Sequence, residues 1–202
     1  MTDERVQVAH VSLNAEERAA DTTTIFGFWT YLMTDFVLFA SLFAVYAVLR
    51  GNTFGGPDSS IFSAPFVLTE TLILLTSSFT YGFALLAAHA GRVKQAMLTL
   101  AVTFVLGVSF VVLEFSEFGR LVAEGYGPAR SAFLSSFFTL VGTHGTHIAV
   151  GLLWIVIAIW QVKKLGLTEG VVSKLNRFTL FWHFLDIVWI FIFTIVYMMG
   201  SV

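Results

Sequence analysis

Five long apolar runs make up most of this chain and restrict its fold class more than any other feature. Each is at least 18 residues long, and they cover Ile25–Leu49, Phe66–Ala88, Ala96–Leu113, Phe133–Val162 and Phe178–Met199. A helix needs about 20 apolar residues to cross the hydrocarbon core of a bilayer. Only helices and closed barrels satisfy their backbone there, and these runs lack the alternation of a barrel strand. The sequence therefore predicts an all-α integral membrane bundle of five transmembrane helices.

Composition agrees with a membrane protein of one domain. The chain is 57% hydrophobic and 12% charged, whereas a soluble domain carries about 25% charged residues. Its net charge of −2 gives no nucleic-acid footprint, and the absence of Cys excludes disulfides and thiolate chemistry. We expect a polar tail over residues 1–24 and a transmembrane domain over 25–202. The predicted spans lie near 25–49, 66–88, 96–118, 133–162 and 178–199.

The distribution of Lys and Arg predicts the orientation of the chain. Eight of these residues fall in the tail, the second loop and the fourth loop, and three in the first and third loops. Basic residues accumulate on the cytoplasmic side of membrane proteins. We therefore expect the N-terminus in the cytoplasm and the C-terminus outside.

A small set of ionisable residues lies inside the predicted spans. In chain order these are Asp35, Glu70, Glu114, Glu117, His144, His147, His183 and Asp186. No Lys or Arg enters the interior of a span, so we expect Glu70, Glu114 and Glu117 to lack a basic partner and to be protonated or reached by water. Ionisable groups at membrane depth are costly, so they face the bundle interior and are functional or paired. A hydrogen-bonded structural network between helices is the alternative to an ion pathway.

Spacing and depth decide between a metal site and a structural network. Glu114/Glu117, His144/His147 and His183/Asp186 are separated by three residues, so each pair shares a helix face. Metal sites in helix bundles use similar pairs. Here, however, Glu70 and the Glu pair form an outer layer, while the last pair and Asp35 lie in the inner half. The groups do not converge, so we predict no catalytic, cofactor or metal site.

We expect all eight ionisable residues to belong to a buried structural polar network instead, and the inner ones to form hydrogen bonds with one another. We assign His147, His183 and Asp186 to this inner group, with Asp35 as a further candidate member. Small residues, including Gly142 and Gly145, predict close approach of a neighbouring helix in span four. Ser and Thr residues form a polar stripe in span two, at positions 69, 71, 76, 77, 78 and 80. Four aromatic residues near span ends are expected at the membrane interfaces, namely Trp29, Trp160, Trp182 and Tyr197.

Several stretches resemble subunit III of haem-copper respiratory oxidases. The most specific are GTHGTHIAVG at 142–151 and WHFLDIVWIFIFTIVY at 182–197, joined by APFVLTETLILLTSS at 64–78 and GPARSAFLSSFFTLVG at 127–142. With five spans and the loop Phe54-Gly55-Gly56-Pro57, the chain looks most like the short form found in bacterial cytochrome bo-type ubiquinol oxidases. The resemblance covers nearly all of Ile25–Gly200.

The resemblance implies an auxiliary subunit of a proton-pumping enzyme in the bacterial inner membrane that oxidises quinol and reduces dioxygen to water. It implies partner subunits I, II and a small subunit IV, with the haems and copper in subunit I and no cofactor in this chain. A bound phospholipid is compatible with it. Two alternatives stay open: a short-form cytochrome c oxidase subunit III, and a stand-alone ion transporter using Asp35, Glu70 and Asp186. Transporters usually show internal repeats and broken helices, and neither is visible here.

Overall fold

Five long helices account for nearly all of the described chain. The computed structural model describes residues 2–55, 61 and 63–199. Helix α1 covers Thr2–Leu49, α2 Ala64–His89, α3 Val93–Ala123, α4 Ala132–Leu165 and α5 Glu169–Ile192. A π-helical segment, Phe193–Met198, continues α5. No strand occurs among the described residues.

The five helices are each long and apolar enough to cross a membrane. The qualifying segments are Thr22–Leu49, Pro65–His89, Val93–Ala123, Ala132–Leu165 and Glu169–Met198. The prediction of an all-α chain with five transmembrane helices is therefore confirmed. The predicted polar tail is helical from Thr2. The same helix, α1, continues without interruption into the first span.

The chain divides into two units within α1. The first, Met1–Leu38, is a single helix in its described part, and the second, Phe39–Val202, contains the end of α1 and all later helices. Within the second unit, α2 packs against α3 and α5, and both of these pack against α4. The end of α1 joins this bundle through Phe43, whose ring centroid lies 6.3 Å from that of Phe191, and through Tyr46, which lies 6.1 Å from Phe133.

Turn chemistry in the sequence fixes where the helices begin and end. Pro65 occupies the first turn of α2, where a missing N–H costs nothing. The Ser131 hydroxyl caps α4 by accepting a hydrogen bond from the Leu134 amide at 3.2 Å. Gly91 (φ 69°) links α2 to α3, and Gly166 (φ 71°) ends α4 in the left-handed region that favours glycine. In the loop between α1 and α2, Gly56 and Pro57 of the predicted turn lie outside the described residues.

Candidate functional site

The interface between α2 and α5 is lined by paired polar side chains. Tyr81 donates from its hydroxyl to the Leu175 carbonyl at 2.9 Å. Each of two indole N–H groups donates to a hydroxyl on α2: Trp182 to Ser77 at 3.3 Å and Trp189 to Thr71 at 3.0 Å. A fourth pair joins Ser78 to Asp186. We call these eight residues the α2–α5 seam.

Sequence spacing explains why the seam forms. Leu175, Trp182 and Trp189 follow one another at intervals of seven residues, or about two helical turns, so they share one face of α5. The predicted polar stripe of span two supplies the facing hydroxyl groups. The two helices are antiparallel, so Leu175, Trp182 and Trp189 have partners progressively earlier in α2, at Tyr81, Ser77 and Thr71.

Asp186 is the most connected ionisable residue of the seam. Its Oδ2 accepts hydrogen bonds from the Ser78 hydroxyl and from His183 Nδ1, the latter at 3.3 Å. The Asp186 side chain is buried, whereas 49% of the His183 side chain is exposed. Asp186 Oδ1 has no hydrogen-bond partner among the described residues. This carboxyl group therefore joins two helices on one side and reaches the bundle surface through a histidine on the other.

The two histidines of α4 have different surroundings. His144 is completely buried among Phe39, Phe110 and Trp189, and its Nε2 donates to the Leu185 carbonyl at 3.2 Å. His147 donates from Nδ1 to the Thr143 carbonyl of its own helix at 2.8 Å. The hydrogen bond from His144 joins α4 to α5.

Two residues assigned to the inner network, His183 and Asp186, are hydrogen-bonded to each other, and their role in a structural network stays a prediction. The structure brings His183 and Asp186 together and adds Ser78, which the sequence placed in the polar stripe alone. Asp35 is buried and belongs to the first unit. Membership of Asp35 and His147 in the same network stays a prediction.

The three carboxyl groups assigned to the outer layer lie where α2 begins and α3 ends. Glu70, Glu114 and Glu117 are all buried. Glu70 lies within electrostatic range of both glutamates of α3, and Tyr197 of the π-helix lies within range of all three. We call Glu70, Glu114 and Glu117 the carboxylate cluster.

The expectation that these carboxyl groups lack a basic partner is wrong for Glu117. Helix α3 continues to Ala123, so Arg120 lies one turn beyond Glu117 on the same face. Arg120 Nε donates to Glu117 Oε2 at 3.0 Å, and its guanidinium also contacts Glu124 Oε1 at 3.3 Å. The apolar run ends before Arg120, so the predicted span was drawn too short to include this pair.

Glu114 is buried and makes no hydrogen bond to a described residue. Only 4% of it is exposed, and neither carboxyl oxygen has a partner among the described residues. The same is true of Glu70 Oε1. A Cβ atom added to Gly145 would lie 2.8 Å from Glu114 Oε2 and 2.9 Å from Oε1. The glycine therefore provides the space that the Glu114 carboxyl group occupies against α4, a role that the packing interpretation of the sequence missed.

The prediction that Trp182 lies at the membrane interface is wrong. Its side chain has no exposed surface. A Cβ atom on Gly151 would lie 2.7 Å from its Cζ3, and one on Gly107 would lie 3.4 Å from its Cη2. Tyr197 is also buried, whereas 57% of Trp160 is exposed. Proximity to a predicted span end does not distinguish the buried Trp182 and Tyr197 from the exposed Trp160. Burial of a side chain depends on whether its helix face meets a neighbouring helix.

The α2–α5 seam can hold two helices together by hydrogen bonds, and the apolar bundle can enclose the carboxyl groups of the carboxylate cluster. Among the residues whose side chains the structure describes, no group of three or more His, Asp or Glu could hold a metal ion. The predicted absence of a metal site stays a prediction.

Comparison with known proteins decides the family. The sequence model described as cytochrome c oxidase subunit III matches residues 9–201. The chain belongs to this family. The resemblance drawn from the His-Gly-x-His and Trp-His-Phe-x-Asp motifs is thereby confirmed.

Individual members of the subunit III family are similar over nearly their whole length. Cytochrome bo(3) ubiquinol oxidase subunit 3 of Pseudomonas aeruginosa is 55% identical over 196 residues, or 96% of this chain and 94% of that protein. Quinol oxidase subunit 3 of Bacillus subtilis is 47% identical over 178 residues, covering 87% of both chains. Cytochrome c oxidase subunit 3 of Bacillus sp. strain PS3 is 46% identical over 177 residues, covering 87% of this chain and 86% of that one.

Proposed function

We propose that this chain is the auxiliary third subunit of a proton-pumping terminal quinol oxidase in a bacterial inner membrane. The observation that carries the proposal is its near-full-length similarity to a cytochrome bo(3) ubiquinol oxidase subunit 3. In this role the chain takes part in aerobic respiration, where quinol oxidation is coupled to reduction of dioxygen to water. Its N-terminus lies in the cytoplasm, as the distribution of Lys and Arg favours.

The auxiliary part of the proposal is supported by how the polar side chains are used. His144 and His147 donate to backbone carbonyl groups, while His183 donates to Asp186. A haem site in a helix bundle needs axial ligands directed at one point. The haems and copper therefore belong to partner subunit I, with subunit II and a small subunit IV completing the complex. This chain packs beside subunit I, stabilises it and shields it from water.

A cytochrome c oxidase of the short form is the second candidate. The specific observation in its favour is the 46% identity to cytochrome c oxidase subunit 3 of Bacillus sp. strain PS3. The fold and the role of this chain are the same in both candidates, and only the electron donor of the complex differs.

Purification of the complex that contains this chain tests the donor. A haem spectrum and steady-state oxidation of ubiquinol and of reduced cytochrome c are measured on the same sample. We expect haem absorbance and turnover with ubiquinol. Turnover with cytochrome c alone would replace the first candidate by the second, and a preparation without haem would overturn both.

Removal of this chain from the complex tests the auxiliary role. We expect the haem spectrum and the initial rate of quinol oxidation to be largely retained, while proton pumping or the lifetime over many turnovers decreases. Immediate loss of all activity with correctly bound haems would contradict the proposal, because this chain would then supply a group that the reaction requires.

Elemental analysis of the separated chain provides a further check. We expect no stoichiometric iron, copper or zinc. Near-equimolar metal in this chain would make His144, His147 and His183 candidate ligands. Metal that leaves with subunit I, measured in parallel, provides the control.

A further inference from the structure

One ionisable side chain inside the spans is directed out of the bundle. Of the eight ionisable residues inside the predicted spans, six are buried and His147 is half-buried, whereas 49% of the His183 side chain is exposed. His183 lies near the middle of the span Glu169–Met198. Ionisable groups at this depth almost always face other protein groups or a water-filled cavity, because hydrocarbon offers them no hydrogen bond. Lipid is therefore a poor neighbour for this side chain.

The surroundings of His183 on α5 are apolar. Ile187 follows it by four residues and Ile190 by seven, so the three side chains share one helix face. Ile187 is 55% exposed and Ile190 is 44% exposed. We call these three residues the outer face of α5. It is separate from the seam residues Trp182 and Trp189, which are buried. The outer face of α5 is thus an apolar surface that contains one imidazole.

The hydrogen bond between His183 and Asp186 determines what the second ring nitrogen can do. Nδ1 lies 3.3 Å from Asp186 Oδ2, and Nε2 forms no hydrogen bond with a described residue. A pair without net charge costs least at membrane depth. In such a pair one proton lies between Nδ1 and Oδ2 and the other is on Nε2, whichever group holds the shared proton. Nε2 is therefore a hydrogen-bond donor that lacks an acceptor within the described chain.

We propose that the outer face of α5 packs against a transmembrane helix of subunit I, which accepts a hydrogen bond from His183 Nε2 through a side-chain oxygen. A hydroxyl, amide or carboxyl oxygen fits this role, because the backbone carbonyl groups of a membrane helix are already hydrogen-bonded within it. Ile187 and Ile190 provide the apolar contact around the imidazole. Polar side chains paired across helices stabilise helix association in membranes. The inference rests on the proposed function, which places this chain beside subunit I.

Photo-cross-linking in the purified complex tests this surface. A diazirine amino acid replaces Ile187, the complex is irradiated, and cross-linked peptides are identified by mass spectrometry. We expect cross-links to a transmembrane peptide of subunit I that contains a side-chain oxygen. Val105 provides the matched control position, because it is a β-branched residue with 61% exposure on α3, which packs against α2 and α4. The same diazirine amino acid at Val105 should give no cross-link to that peptide.

A double-mutant cycle tests the hydrogen bond itself. His183→Leu and an apolar replacement of the oxygen-bearing residue in the cross-linked peptide are compared singly and together. The coupling between the two changes should be about fivefold in the association constant of this chain with the complex, as expected for one hydrogen bond between membrane helices. Strictly additive effects would overturn the hydrogen bond, since His183 would then act only through Asp186.

The cross-linked partner and the haem spectrum of the same preparation separate the possible failures. Cross-links from position 187 only to lipid, to this chain itself or to subunit II or IV would overturn the docking surface. If the haems are present in that preparation, the chain is still an oxidase subunit, and the proposed function stands. A preparation without haem would overturn both.

Discussion

The α2–α5 seam and the carboxylate cluster are both buried and polar, but more of the polar groups of the seam are hydrogen-bonded within the described chain. In the seam, both indole N–H groups, the Tyr81 hydroxyl and the Ser78 hydroxyl find an acceptor on the facing helix. In the cluster, Glu117 is held by Arg120, while Glu114 makes no hydrogen bond within the described chain. The polar side chains of the seam therefore join two helices by hydrogen bonds, whereas Glu114 forms no hydrogen bond to another described helix.

This contrast has energetic consequences. A satisfied hydrogen bond contributes about 0.5–1.5 kcal/mol, whereas a buried polar group left without its partner costs about 1–3 kcal/mol. Removing one member of a seam pair should therefore destabilise the chain. Replacing Glu114 by a neutral group of the same shape should cost little, because no partner is left behind. Four substitutions of decreasing expected effect test this comparison.

Trp182→Ala should have the largest effect. The substitution removes a fully buried indole and leaves a cavity between Gly107 and Gly151. Core Trp→Ala changes cost about 3–5 kcal/mol. The temperature at which the complex releases this chain should fall strongly. Trp160→Ala is the control, because 57% of Trp160 is exposed. Equal effects of the two changes would mean that the buried Trp182 side chain contributes no more to stability than the exposed Trp160 side chain.

Asp186→Ala should come next, with a loss of about 1–3 kcal/mol. It leaves the Ser78 hydroxyl and His183 Nδ1 without their acceptor. Less of the chain should remain with the complex after detergent extraction, as measured by the ratio of subunits. Asp186→Asn retains one acceptor oxygen and should lose less. Normal assembly with loss of oxidase turnover would instead give Asp186 a direct catalytic role.

The bond between Trp189 and Thr71 should have a smaller effect of about 1 kcal/mol. Trp189→Phe removes the N–H donor, and Thr71→Val removes its acceptor with little change of shape. Thermal release of the chain is compared for both single variants and the double variant in a double-mutant cycle. Strict additivity would show that this seam bond contributes nothing.

Glu114→Gln should have the smallest effect, close to zero on stability. Neither carboxyl oxygen has a partner to lose within the described chain, and the amide fits the space beside Gly145. The same thermal assay is used. A loss comparable to that of Asp186→Ala would show that Glu114 binds a structural partner, and the contrast between the cluster and the seam would disappear.

The fold and the family could be predicted from the sequence in considerable detail. Apolar length determines membrane spanning, and span number follows directly from it. Errors arose at the helix ends. Glu117 was predicted to lack a basic partner because the apolar run ends before Arg120. Helix α3 continues to Ala123, so Arg120 lies on the same helix and pairs with Glu117. A hydrogen-bonded helix continues past the apolar run as long as backbone geometry permits.

Sequence alone was enough to predict the five spans, the polar residues inside them and the motifs of the subunit III family. These properties depend on composition and local spacing, which the chain carries wherever its helices lie. The tertiary structure alone decided which polar groups are paired. Trp182 is buried rather than interfacial, and Glu114 is enclosed against Gly145, because helix rotation and register bring particular faces together. Contacts between residues as distant in sequence as Thr71 and Trp189 are set by packing of whole helices, and local patterns do not encode that packing.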